Sequence, residues 1–256
     1  MQQVKRISVL LSDDHAFVRK GLRCLLARAE DIEVLGEVEN GRRAVEEAKK
    51  LRPDVVLMDI AMPLLNGLEA TRQIRLANRS TRVIVFSGYS DDQHVFQAVE
   101  AGASGYLMKE AAQDDLLQAI RQVRQGNAYF SAPISRRLVK LWEDKFLNGC
   151  FSNVTVNPLT SRQTEIVQLV AEGYATKQIA GLLSISATTV WKHRQSAMDK
   201  LGIHGVASLT RYAVSRGVVE SDFPPNSDVT RLPQETLLPH CSRRISPVRP
   251  DALSVP

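Results

Sequence analysis

Three aspartates, a serine and a lysine stand at the ends of short apolar runs in the first half of the chain. Asp13 and Asp14 follow "ISVLLS", Asp59 ends "DVVLMD", Ser87 lies in "RVIVFSG", and Lys109 ends "SGYLMK". Each has an ordinary explanation. Asp13 or Asp14 can cap the helix that follows, Asp59 can meet water at the rim of a buried strand, Ser87 is a common turn residue, and Lys109 a common surface lysine. As a set they can do chemistry. Three carboxylates packed together repel and raise one another's pKa values, and a divalent cation removes that penalty. Carboxylates with water and phosphate oxygens are the ligands Mg²⁺ prefers. One carboxylate can then attack phosphorus and form an aspartyl-phosphate, while Lys109 and the Ser87 hydroxyl meet the charge on the phosphoryl oxygens. On this reading Asp59 is the phosphoryl acceptor.

Such a set needs a frame that gathers it. Residues 6–126 alternate short runs rich in Val, Ile and Leu with amphipathic stretches near a 3.6-residue period, and Gly41, Gly67, Gly102 and Gly126 stand at the helix edges. Runs without strict alternation suit strands buried on both faces. Five strands alternating with five helices predict a five-stranded doubly wound parallel sheet. In such sheets sites form at the carboxyl ends of the strands, where strand order reverses. With the flavodoxin-like order 2-1-3-4-5, that point falls between the strands bearing Asp13, Asp14 and Asp59.

After residue 127 the regularity changes. Residues 128–157 read as a linker with one helix over 134–147, residues 158–220 as purely helical, and residues 221–256, rich in proline and serine without periodicity, as a disordered tail. The net charge of +5 follows the same divisions. Lys and Arg balance Asp and Glu at 18 against 18 over 1–127 and at 4 against 4 over 221–256, whereas 128–220 carries 11 against 6. A basic block fits nucleic acid, although a solvated face carries charge equally well. Three scattered cysteines, Cys24, Cys150 and Cys241, fit neither a disulfide framework nor a zinc site. With no long apolar run and no leader-like N-terminus, the chain is expected in the cytoplasm, away from membranes.

The helical segment carries its own punctuation. Thr160 with Gln163 makes a capping box, Gly173 suits a helix end, Thr176 can cap a short second helix, and Ser186 can cap a third that Gly202 closes. Two short helices joined by a tight turn form a helix-turn-helix. On the third helix Val190, Ala197, Met198 and Leu201 share one side, and Thr188, Thr189, Lys192, Gln195, Ser196 and Asp199 the other. Such a polar face can enter a major groove or simply be solvated. Trp191 is expected to pack at the apolar edge, and Arg194 to pair inward with an acid, Glu165.

Both halves resemble known families. Residues 5–126 resemble the receiver domain of two-component response regulators through "SDDH", "DVVLMDIAMPLLNGLE", "VIVFSG" and "GASGYLMK". The resemblance implies Asp59 as phosphoacceptor, Mg²⁺ held by Asp14, Asp13, Asp59 and the Ile60 backbone carbonyl, and Ser87 with Tyr106 as the switch pair, the aromatic following the hydroxyl inward. Gly88 departs from the bulkier residue common after Ser87. Residues 158–220 resemble the LuxR-type four-helix DNA-binding domain through "LTSRQTEIVQLVAEG", "KQIAGLL" and "SISATTVWKHRQSAMDKLG". That likeness implies base-facing Thr188, Thr189 and Lys192 and a last helix that makes a dimer contact. Positions 188 and 191, often basic in the family, are Thr and Trp here.

The combined reading is α/β plus all-α: a phosphorylation-controlled transcription regulator rather than an enzyme. Its expected partners are a sensor histidine kinase, double-stranded DNA and, when active, a second copy of itself. An aspartyl-phosphate phosphatase would need an acid two residues after the nucleophile, where Ala61 stands. An interaction protein that is never phosphorylated would not need the Asp13, Asp14, Asp59 and Lys109 set. Two modes of control fit a linker of about thirty residues, which spans roughly 30 Å as a flexible coil. The receiver can cover the Thr188–Lys192 face until phosphorylation releases it, or phosphorylation can drive dimerisation. The expectation is a mixture led by release.

Overall fold

The computed structural model describes residues 6–147 and 158–219. The first part runs β1 (Ile7–Ser12), α1 (Ala16–Leu26), β2 (Ile32–Val38), α2 (Gly41–Leu51), β3 (Val55–Met58), α3 (Gly67–Ala77), β4 (Arg82–Ser87), α4 (Asp92–Glu100), β5 (Gly105–Met108), α5 (Gln113–Arg124), β6 (Tyr129–Phe130) and α6 (Ala132–Leu147). All pairings are parallel, in the order β2-β1-β3-β4-β5-β6. The expected five-strand order is therefore present, with a two-residue strand added beside β5. Two residues carry no periodic signal, which is why this stretch read as linker. They pair because the edge of β5 is open to them. Behind them α6 packs against α4, and Ile134 enters a buried cluster with Ile60, Val85, Val95 and Tyr106. The rest of the expected linker, 148–157, and the tail from 221 lie outside the described residues.

Successive strand residues point to opposite faces, and the two cores divide accordingly. Val9, Leu11, Val55, Leu57, Ile84 and Phe86 meet Leu22 and Leu26 of α1 and Leu116, Ile120 and Val123 of α5. Leu10, Val56, Met58 and Val83 meet Ala44, Val45 and Ala48 of α2 and Ala70 and Ile74 of α3. Both faces are covered, so β3 is buried throughout. Helix starts are fixed by side chains: Asn40, Asn66 and Asp91 accept from the backbone amides of Arg43, Glu69 and His94. Gly67 opens α3 directly over Asp59. Its amide donates to the Ile60 carbonyl at 2.8 Å, and a β-carbon there would overlap the Asp59 carbonyl oxygen.

The second part is α7 (Ser161–Ala171), α8 (Thr176–Leu183), α9 (Ala187–Leu201) and α10 (Val206–Ser215). The Thr160–Gln163 capping box is formed, and the Ser186 side chain accepts from the Thr189 amide at the start of α9. Ala175, rather than Thr176, occupies the N-cap position of α8, and the Gln178 side chain accepts from its amide at 2.8 Å. Ile166, Val167, Leu169, Ile179, Val190, Ala197, Leu209 and Ala213 form this part's own core.

Candidate functional site

Strand register gathers the acids. Ser12 of β1 stands opposite Met58 of β3, Met58 opposite Val85, and Ser87 opposite Met108. The residues that follow therefore emerge along one edge: the Asp59 amide donates to the Ser12 carbonyl at 2.8 Å and the Lys109 amide to the Ser87 carbonyl at 3.0 Å. Lys109 Nζ lies 2.8 Å from Asp13 Oδ2 and 2.9 Å from Asp59 Oδ2. Asp13 and Asp59 are buried, Asp14 is partly open, and carboxylate oxygens of all three lie within 4.8 Å of one another together with a nitrogen of His15. His15 Nδ1 is 2.7 Å from Asp14 Oδ1.

The electrostatics follow from burial. Loss of water pushes the Asp59 carboxyl up to about 7; the Lys109 charge opposes this and that of Asp13 adds to it. Burial also works against the Lys109 ammonium, but Asp59 and Asp13 outweigh it and hold the amine above its ordinary range. One lysine thus serves two buried carboxylates, which leaves net negative charge. Oxygen donors, negative charge and one open side make this cluster fit for a hard divalent cation. The Ile60 carbonyl already accepts from the Gly67 amide. A carbonyl oxygen carries two lone pairs, so that bond leaves the second one for a cation.

The Ser87 hydroxyl accepts from the Tyr89 amide at 3.2 Å, and the Tyr106 hydroxyl donates to the Tyr89 carbonyl at 2.6 Å. Tyr106 is fully buried, so the aromatic of the expected switch pair already occupies an inward position. Burial raises the Tyr106 hydroxyl pKa, and a hydrogen bond with Ser87 offsets part of the rise.

A polar seam that the sequence reading missed joins the loop after Asp59 to α7. The Gln168 side chain accepts from the Asn66 amide at 2.7 Å and donates to the Met62 carbonyl at 2.9 Å. Glu172 accepts from the Leu64 amide at 3.1 Å. Arg42 of α2 pairs with Glu165 and reaches the Leu182 carbonyl. Leu64, held at φ 68°, packs against the core of the helical part. A left-handed leucine is costly unless its surroundings fix it, and here α7 does so. On the other side Gly217 lies against His94, so closely that a β-carbon would overlap the imidazole, and His94 stacks on Tyr89 at 4.6 Å. The signal for the seam was legible: Glu165, Gln168 and Glu172 recur at helical spacing among the apolar Ile166, Val167, Leu169, Val170 and Ala171.

The helix expected to read DNA departs from expectation in four respects. Thr188, Lys192 and Gln195 are exposed, as a groove-reading face requires, but Thr189 is partly buried and bonded to Ser186, and Ser196 accepts from the Gln163 side chain at 3.0 Å. Glu165 pairs with Arg42 and Arg162, not with Arg194. Trp191 does not pack at the apolar edge; it is 51% exposed. Finally, among the described residues the sheet-bearing part docks on α7 and the end of α8 and leaves Thr188 and Lys192 exposed, where the release mechanism expects the receiver to cover them.

An acid pocket at the carboxyl edge of a doubly wound sheet, tied to a helix-turn-helix, defines a signal-receiving DNA-binding regulator. Comparison with known proteins agrees. Residues 9–121 match the response regulator receiver domain and residues 157–213 the luxR family of bacterial regulatory proteins. The chain is 33% identical to the transcriptional regulatory protein DegU of Brevibacillus brevis over 84% of its own length and 96% of that protein. It is 35% identical to the nitrate/nitrite response regulator NarL of Escherichia coli K12 over 78% and 92%. Among solved structures it matches the RcsB response regulator of Salmonella typhimurium at 26% identity, TM-score 0.55, over 83% and 98% of the two chains. The chain belongs to the LuxR-type response regulators: it is a two-component transcriptional regulator. Among the described residues no helix is long and apolar enough to cross a membrane.

Proposed function

We propose that Asp59 accepts a phosphoryl group from a sensor histidine kinase and that the modified chain binds paired DNA sites as a homodimer. The observation that carries this is the Lys109 ammonium, 2.8 Å from Asp13 and 2.9 Å from Asp59 at the edge where four parallel strands end. A Mg²⁺ held by Asp13, Asp14 and Asp59 would neutralise phosphoryl oxygens during transfer. The chain's own residues do the rest. An Asp59 oxygen forms the new bond to phosphorus, the phosphorus–nitrogen bond of the phosphohistidine breaks, and the departing imidazole takes up a proton. Lys109 then meets the phosphoryl charge, and Ser87, at the end of β4, is placed to donate to it. The Ile60 carbonyl would add a further oxygen through its second lone pair, the first accepting from the Gly67 amide.

We assign residues 1–127 to the receiver, 128–157 to the connection, whose β6 adds to the receiver sheet and whose α6 packs on α4, residues 158–220 to DNA binding and 221–256 to a tail. Thr188, Lys192 and Gln195 face DNA; Thr189 and Ser196 serve α9 and its contact with α7. Dimerisation is supported by partly exposed Val206 and Val214 on α10, and by solved structures of RcsB described as dimers bound to DNA. The control step lies in the seam: Met62, Leu64 and Asn66 stand three to seven residues after the acceptor, so a charge change at Asp59 reaches α7 through one short loop. The test is incubation with a small phosphodonor and Mg²⁺, followed by intact-mass measurement. Wild type should gain one phosphoryl group and Asp59→Asn none, because an amide cannot form the acyl phosphate. Normal labelling of Asp59→Asn would move the site elsewhere and end this reading.

A further inference from the structure

Trp191 is the one large apolar side chain that α9 turns outward among the described residues. Val190 beside it is 1% exposed and Ala197 0%, whereas Trp191 is 51% exposed. Position decides what such a residue can touch. Residues three, four and seven apart share a helix face, and Thr188, Trp191, Lys192 and Gln195 stand at that spacing, all exposed. The stripe falls in the N-terminal part of the 15-residue α9, the part that enters the major groove in a helix-turn-helix. Lys192 meets phosphate or a base acceptor, and Thr188 and Gln195 offer short polar contacts. An indole in the middle of that stripe cannot offer charge. It offers a flat apolar face and one N–H donor.

The only apolar group on the major-groove edge of DNA is the thymine 5-methyl. We propose that Trp191 is a sequence-determining residue, its indole lying against thymine 5-methyl groups of the bound duplex. The partner is double-stranded DNA whose half-sites carry at least one thymine under Trp191. With an uncharged residue in the middle of the stripe, binding gains base preference there in place of a phosphate contact.

The experiment uses the full-length chain, phosphorylated with a small phosphodonor. Bound sequences are selected from a random duplex library, and each thymine of the selected site is then replaced singly by deoxyuridine, which removes only the methyl. Wild type should weaken about fourfold at one position per half-site, the value of one buried methyl-sized group. Trp191→Ala should bind the site less tightly, lose the thymine–deoxyuridine difference, and select sequences without that thymine. Trp191→Phe should keep the difference, since the apolar face remains. Trp191→Lys should lose it and steepen the salt dependence by about one unit. Thermal unfolding of Trp191→Phe should match wild type, because an aromatic ring keeps the contacts of the covered half of the indole. The proposal is overturned if Trp191→Ala selects the same sequences with the same deoxyuridine sensitivity. It is equally overturned if Trp191→Ala lowers the melting temperature while base preference is unchanged, which would make the indole a packing residue.

Discussion

Asp59 carries a stability cost that its proposed chemistry requires. A buried carboxylate beside a second one is stable only with compensation, and Lys109 compensates for both. Replacing Asp59 by Asn removes a like charge facing Asp13 while keeping an oxygen that can accept from Lys109. Asp59→Asn should therefore lose phosphoryl incorporation while melting no lower than wild type in metal-free buffer. Lys109→Ala should do the opposite to the fold. It strands two buried acids, and breaking such a contact costs about 3–5 kcal/mol, so the melting temperature should fall clearly. Thermal denaturation of the two variants side by side separates these outcomes; equal melting of Lys109→Ala and wild type would mean the ammonium is not compensating the pair.

On the proposed reading the elements that matter most for control are α7 and α9, and both are set by few bonds. Gln168 satisfies the Asn66 amide and the Met62 carbonyl at once. Gln168→Leu would leave both without that partner, at roughly 1–3 kcal/mol for each buried group, so the two parts should separate readily. Small-angle scattering should report a larger radius of gyration. Glu172 adds a pH dependence. Burial in the seam pushes it from 4.5 up to about 7. Between those values the docked state binds more protons than the undocked, so docking is strongest in acid, weakens as the pH rises to about 7, and is level above. Glu172→Gln should flatten this dependence and keep the parts docked at pH 8; a wild-type radius that does not change with pH would refute the role. On α9, Ser186→Ala removes the N-cap and should cost about 1 kcal/mol. That loss would appear as earlier unfolding of the helical part and weaker DNA binding.

At the scale of the whole molecule, the docked arrangement leaves the reading helix free. The unphosphorylated chain should therefore bind a single half-site as tightly as residues 150–256 do alone. On the proposed reading, phosphorylation adds a second reader on the paired site, where linkage raises affinity without any new base contact. Titration of one half-site and of the full site, with and without phosphodonor, distinguishes the two modes. Tighter half-site binding by the fragment would restore covering of the face by the receiver. Equal half-site binding, with a phosphorylation-dependent gain on the full site, would support assembly as the controlled step.

The acid set, the run of strands and helices and the helix-turn-helix punctuation were legible because each is local; the strand order was taken from the flavodoxin-like pattern and rests on pairings between distant segments. An aspartate ends an apolar run, a glycine opens a helix, a threonine and a glutamine three apart close a capping box. Local signals state what an element is and which residues stand at its ends, and the strand-end rule then brings Asp13, Asp14, Asp59 and Lys109 together. The chain could not state locally what one element does to another. Glu165 had Arg194 as a reasonable partner until folding delivered Arg42 from more than a hundred residues away. Ser196 was a free hydroxyl until α7 took it, and Trp191 belonged to the apolar edge until packing of α9 turned it outward. The two-residue β6 exists only because β5 has an open edge. Leu64 adopts its left-handed backbone only where α7 holds it. Residue type and spacing determined the chemistry and the elements. Which charges pair, which side chains remain free and which face is left open were decided by contacts between segments far apart in the chain, and those follow from three-dimensional packing rather than from sequence spacing.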